Sequence, residues 1–404
     1  MSASNWGILT SLTIPGTDVN KPSALRLAIA GALALAVGIG IGRFAFTPIL
    51  PMMQKDHGLT LRVAGLLASA NYVGYFIGAL SAIWIRAATV KVVRFSLLAV
   101  IVLTVAMGLT QHPAAWLLLR GLAGIVSAWT LIFSSAYVLE QLAAQGKSRL
   151  GGVVFSGVGF GITLAGAFCL LFLNLGWSAD QTWLAAGVIA LLLALFCWPG
   201  FQYATQARTV AKSSASPLRL RIHLVVIVCY GILGFGYIIP ATFLPAMAKQ
   251  ALPDPAVFGW AWPIFGSTAF ASTLLAGRLS ALLSNRLIWA LSHVVMAIGV
   301  AMPVLVPGMT GIVIAACCVG GTFMVATMTG LQEARILAPD HASRLIAAMT
   351  AVFAMGQILG PLLVSAVAGM HNGMEGLLIG VSALLLASAA ALMAGSPRQR
   401  KMEN

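Results

Sequence analysis

Charge is what this chain has least of. Only 8% of its 404 residues are Asp, Glu, Lys or Arg, and nine are acidic. A water-soluble protein of this length needs far more polar surface, so a large soluble enzyme is excluded. Cysteine is scarce too. Cys169, Cys197, Cys229, Cys317 and Cys318 all fall within apolar runs and read as small packing residues, which removes a disulfide framework. The six histidines are scattered with no pair at ligand spacing, so neither a metal site nor a cofactor is expected. The first 23 residues are polar and show no signal-peptide core.

Apolar sequence dominates instead. Sixty per cent of the residues are hydrophobic, and they come in blocks long enough to cross a bilayer. Twelve spans are expected, at 24–50, 62–85, 91–111, 114–139, 150–175, 180–200, 222–248, 256–283, 286–306, 309–335, 343–369 and 373–394. No alternation of the barrel kind appears, so the spans are helices with internally paired backbones. The net charge of +14 would fit a nucleic-acid partner, but its placement argues against one. With an inside N-terminus, 18 Lys and Arg lie on the cytoplasmic side and only Lys55, Arg62 and Lys249 lie outside. That bias puts both termini in the cytoplasm of a bacterial plasma (inner) membrane protein.

The longest polar stretch between spans, residues 202–221, reads as a cytoplasmic linker. It divides the chain into an N-terminal segment (1–23), a six-helix unit (24–201), a second six-helix unit (222–394) and a tail (395–404). The units echo each other. Gly40, Gly42 and Pro51 recur at Gly234, Gly236 and Pro245, "GALSA" (78–82) recurs as "GRLSA" (277–281), and "RL" opens the fifth and eleventh spans at Arg149 and Arg344. Duplicated units of this kind enclose a site near the midplane at their interface.

Twelve spans, a six-plus-six repeat and a basic central loop resemble the major facilitator superfamily. "GIGIGRFAFTPILPMM" (38–53), "NYVGYFIGAL" (71–80) and "FSGVGFGITLAG" (155–166) are similar to its YbfB/YjiJ-like branch. The resemblance covers about residues 25–394. It implies an all-α membrane fold of two pseudo-symmetric six-helix bundles, with spans 1, 4, 7 and 10 lining a central cavity, and a transporter rather than an enzyme. The family's gating loops start at Gly78 and Gly277, but their aspartate is replaced by Ala82 and Ala281. The fifth span matches the antiporter-type glycine pattern at Gly157, Gly161 and Gly166, with Ile162 in place of its proline and Ala165 in place of one glycine. The eleventh carries Gly356, Gly360 and Pro361. Small residues spaced by four let helices approach closely.

Two arginines sit inside spans. At 1.5 Å per residue, Arg43 is roughly 13 Å below Met52 near the outer end of its span and Arg120 about 9 Å below Ala114 at the start of its own, so they share a layer. An intramembrane arginine costs about 2.5–3.5 kcal/mol on insertion scales. No Asp or Glu at that depth can pair with either, which leaves helix carbonyls, water or a bound anion. A planar guanidinium suits a carboxylate or phosphate. Arg43 could also snorkel to the interface. Arg120 begins the superfamily's fourth-span pattern with Gly124, where an arginine can be a packing or proton-coupling element. Asn71, Tyr75, Tyr237 and Gln357 are further candidates for the substrate cavity, with Tyr237 at the repeat position of Arg43. Tyr72, Thr130, Ser134 and Thr322 are polar residues that can instead bond their own helices. Trp177, Trp183, Trp260 and Trp262 read as interfacial anchors. Glu140 and Glu333, at matching inner ends, read as gating residues that pair with Arg86, Arg278 or Arg286.

The reading that follows is a monomeric secondary transporter for a small solute. An organic anion is the expected substrate, with protons as a candidate coupling ion. An exporter of hydrophobic or cationic compounds is the alternative, and it would need a buried acid. An integral membrane enzyme or sensor lacks its catalytic constellation or soluble domain.

Overall fold

Helices pair their backbone polar groups without a neighbour, which is what a bilayer interior demands. The computed structural model describes residues 23–85, 87–201, 223–251, 259–338, 342–367 and 370–394, and these contain no strand. The expected linker 202–221, tail 395–404 and Arg86 lie outside them, as does the N-terminal segment except Ser23, which caps the first helix.

The first span, α1, has three parts: an α-helical arm Ala24–Leu35, a π-helical segment Ala36–Ile41 and a second arm Phe46–His57. After it come α2 (Leu61–Ser81), α3 (Thr89–Met107), α4 (Pro113–Ala144), α5 (Gly151–Asn174) and α6 (Ala179–Cys197). The second series is α7 (Leu224–Ala251), α8 (Ala261–Leu279), α9 (Asn285–Leu305), α10 (Met309–Leu337), α11 (Ala342–Val367) and α12 (Gly373–Ala394). Eleven of these spans are long and apolar enough to cross a membrane. The other, α8, has 19 residues and carries Trp, Ser and Thr among its aliphatics. Side-chain caps set several starts. Ser178 and Gln181 form a reciprocal capping box on α6, and Thr60 and Ser284 cap α2 and α9. α1 and α4 outrun their expected ends, because helical residues such as "EQLAA" extend past the apolar stretch.

Close glycine contacts build each bundle, and the two bundles use them alike. A Cβ at Gly161 of α5 would stand 2.8 Å from the Cα of Gly40 in α1. A Cβ at Gly356 of α11 would stand 3.2 Å from the carbonyl carbon of Gly234 in α7. Gly157 is tighter still, at 1.9 Å from the carbonyl oxygen of Ala32. Gly78 fits α2 against the Ile125 carbonyl of α4. Between bundles, α5 lies along α8: Gly152 meets Gly277 at one end, Gly159 meets Phe270 midway and Gly166 meets Pro263 at the other. α2 packs on α11 in the equivalent position. Of the expected gating glycines, Gly277 is therefore at the bundle interface, while Gly78, Gly157 and Gly161 make their close contacts within the first bundle.

The two ends of the molecule differ in charge. One, here termed the basic end, carries Arg26, Lys91, Arg94, Lys147, Arg149 and Arg344. At the opposite end, His57 lies 2.9 Å from Asp180, and Asp56 accepts the Ala179 N–H at 2.7 Å, tying α1 to α6. At the basic end Arg286 donates to Glu333 at 2.6 Å. This is one of the expected pairings, and both residues belong to the second bundle, so it lies within a bundle and not between the two. Glu140 of α4 is exposed and interacts electrostatically with Arg335 of α10, across the two bundles; its expected partner Arg86 lies outside the described residues.

Candidate functional site

The site begins with a fault in α1. Glycines 38, 40 and 42 allow the π segment to settle against neighbours: a Cβ at Gly38 would meet Thr130, and one at Gly40 would meet Gly161. The hydrogen-bond ladder shifts there. Gly42 N–H donates to Val37 and Phe44 N–H to Ile39, both five residues back, while Thr47 N–H turns to Phe44 only three back. The shift deprives several carbonyls of their helical donors. Gly38 O takes the Ser127 hydroxyl at 2.7 Å instead, and Arg43 O takes Nη2 of Arg120 at 3.2 Å. Such π segments recur at functional sites.

Arg120 is thereby occupied. Its Nη1 also reaches Gly42 O at 3.5 Å, and its guanidinium lies 4.5 Å from the Phe46 ring centroid. Asn71 donates to Arg120 O at 3.0 Å, which fixes α4 to α2. Both expected candidates sit behind the cavity wall and hold backbone. Thr130, Ser134 and Thr322 likewise donate to carbonyls of their own helices.

Arg43 points inward, not to the interface. It is 4% exposed and crosses to the second bundle, where its Nη2 donates to Oε1 of Gln357 on α11. Gln357 in turn donates through Nε2 to the hydroxyl of Tyr237 on α7. The Arg43 guanidinium lies 4.1 Å from the centroid of Tyr75, and its Nε is buried without a partner. Four of the residues singled out in the sequence, Arg43, Tyr75, Gln357 and Tyr237, thus meet at one place. Tyr72 makes a separate bridge between bundles, with its hydroxyl 3.1 Å from that of Thr242.

A small cavity of about 20 Å³ opens beside Arg43, room for little more than a water. Tyr75, Tyr237, Phe44, Phe323, Phe353 and Tyr230 line it, together with Met324, Thr327 and aliphatic residues. The rings stack in series: Phe323 to Tyr237 is 5.2 Å and Tyr237 to Phe353 is 5.5 Å. Sequence reasoning missed Phe323, Phe353 and Tyr230. The last has a signal, since it precedes Tyr237 by two helical turns on one face. Trp183 and Trp262 are corrected. They are 1% and 2% exposed, Trp183 donating to Met53 Sδ and Trp262 stacking on Phe265 beside the cavity. Trp177 and Trp260, at 39% and 57% exposed, keep the surface position of anchors. Among the described residues no group of three or more His, Cys, Asp or Glu could hold a metal.

Two helical bundles that meet around a buried, charged and aromatic cavity define a membrane transporter of the major facilitator fold. The family described as "Uncharacterised MFS-type transporter YbfB" matches residues 35–394, and the chain belongs to it. Among solved structures the chain is similar in fold to the human organic anion transporter MFSD10 (TETRAN), with a TM-score of 0.70 and 15% identity, covering 92% of this chain and 100% of that one. No curated protein matches the sequence.

Proposed function

We propose that this transporter carries a small organic anion by alternating access of its two bundles, with Arg43 as the anion contact. One observation carries the reading. A fully buried guanidinium faces the cavity, and among the described residues no carboxylate pairs with it. A buried cation without a counter-ion is expensive, and a solute anion would supply the missing charge. The neighbour on this fold that is titled an organic anion transporter is consistent with the reading. Export of cationic compounds fits less well, because the cavity presents a cation of its own. Among the described lining residues there is no Asp or Glu to relay protons, so uniport or anion exchange is the simpler cycle. The charge bias orients the protein with its basic end in the cytoplasm.

In this cycle Arg43, Gln357 and Tyr237 link the bundles at the site, while α5 on α8 and α2 on α11 provide the surfaces that rock. The deciding measurement is thermal stabilisation of purified protein by a panel of organic anions, with wild type, Arg43→Lys and Arg43→Ala side by side. Wild type should respond, Arg43→Lys should respond several-fold more weakly through loss of the fork, and Arg43→Ala should not respond. No response in wild type, or equal responses in all three, would overturn the reading.

A further inference from the structure

We infer that the solute is a monocarboxylate on a flat apolar body, and that Gln357 is an internal stand-in which the carboxylate displaces from Arg43. The inference rests on Arg43 being the anion contact.

Charge count comes first. Of the two intramembrane arginines, Arg120 spends Nη1 and Nη2 on the carbonyls of Gly42 and Arg43, and its own unpartnered Nε belongs to a residue outside the cavity lining. One guanidinium is left for the solute. A dianion would bring a second charge into a dry site with nothing to neutralise it.

The hydrogen bonds of Arg43 then describe the missing group. Its Nε and Nη2 project on one side as a two-toothed fork, the arrangement that grips a carboxylate. Gln357 fills Nη2 with its single oxygen and leaves Nε without a partner. An amide has only one oxygen to give. A carboxylate has two, and it would satisfy both teeth. Tyr237 completes the exchange. Its hydroxyl now accepts from Gln357 Nε2, and a hydroxyl can rotate to donate instead. Once Gln357 swings away, the same phenol can donate to the incoming oxygen.

The remaining walls specify the body. Phe323, Tyr237 and Phe353 form an offset stack of nearly parallel rings, with interplanar angles of 12° and 17°. The Thr327 hydroxyl already donates to the Phe323 carbonyl, and apart from Arg43 the other side-chain polar groups in the lining are the phenols of Tyr75, Tyr230 and Tyr237, which carry their hydroxyls on aromatic bodies. A ring or another flat apolar group can add to that stack or lie against its edges. The cavity is too small for it as it stands, so entry requires Gln357 to leave and the bundles to part.

The test is ligand-induced thermal stabilisation of the full chain in detergent, titrated with benzoate, benzamide, hexanoate, phthalate and inorganic phosphate. Benzoate should bind about two- to tenfold more tightly than hexanoate, through ring stacking. Phthalate and phosphate should be weaker than benzoate by about tenfold or more, since their second charge is unmatched. Benzamide should give no shift. Gln357→Glu places a permanent carboxylate on Arg43 and should abolish the benzoate shift while the ligand-free protein is as stable as wild type or more so. Gln357→Leu removes the stand-in and should keep the benzoate shift or enlarge it. Retention of the shift in Gln357→Glu, or its loss in both variants, would overturn the stand-in. Equal or tighter binding of hexanoate, phthalate or phosphate, with dependence on Arg43, would overturn the flat monocarboxylate and leave the anion site standing. Absence of any anion response in wild type would remove both.

Discussion

Arg120 donates to the carbonyl oxygen of Arg43 at 3.2 Å, so one intramembrane arginine holds the backbone of the other. The two side chains share a layer but face different things, one a peptide group and the other the cavity. Their substitutions should therefore part company. Arg120→Ala strips a donor from buried carbonyls, at roughly 1–3 kcal/mol for each group left unsatisfied. Its melting temperature and membrane yield should fall, with anion response lost only in proportion to folded protein. Arg43→Ala should fold at least as well as wild type and lose the response. Identical behaviour of the two variants would mean that they act as one unit.

The Arg286–Glu333 pair lies within the second bundle, and the Glu140–Arg335 interaction lies between bundles. Glu333→Gln should lower stability by about 1.5–3 kcal/mol, the scale of a charged hydrogen bond, without changing the turnover of the protein that survives. Glu140→Gln should do the reverse: little loss of stability, but altered transport in proteoliposomes. A transport defect from Glu333→Gln at full stability would contradict this division.

Helix approach gives a sharper contrast. A Cβ at Gly157 would lie 1.9 Å from the Ala32 carbonyl oxygen, whereas one at Gly65 meets nothing within 4 Å. Gly157→Ala should force α5 away from α1 and reduce folded yield severely. Gly65→Ala should be neutral or slightly stabilising, since alanine is the better helix former. Size-exclusion profiles and melting temperatures of the two variants check this directly.

Orientation is testable without a substrate. Lys55 and Lys147 are exposed at opposite ends. In a cysteine-free background, Lys55→Cys should react with a membrane-impermeant maleimide on sealed cells. Lys147→Cys should react only after permeabilisation. The opposite pattern would invert the topology.

Much of this architecture is legible in the sequence because lipid imposes a length. Apolar runs announce the spans, and the rare polar residue within a run, such as Arg43, Gln357 or Tyr237, stands out against hydrocarbon. The direction of Arg120 is not legible. It depends on which carbonyls α1 releases, and that follows from a π segment in "AVGIGI" which glycine spacing hints at without specifying. Trp183 and Trp262 were misplaced because a tryptophan near a span end looks the same whether it faces headgroups or a neighbouring helix. Phe323 and Phe353 were hidden for a related reason. In a membrane helix the lipid face and the packed face are both apolar, so periodicity no longer separates them.

The fault in α1 also has a mechanical meaning. The arm Ala24–Leu35 rests on α5 through Ala32 and Gly157, while the arm Phe46–His57 is fastened to α6 through Asp56 and Met53. A rod bends where its ladder is interrupted, and the interruption falls at the residues leading to Arg43. The span is thus two short levers on a common pivot rather than one stiff beam. A load applied at Arg43 acts on the pivot itself.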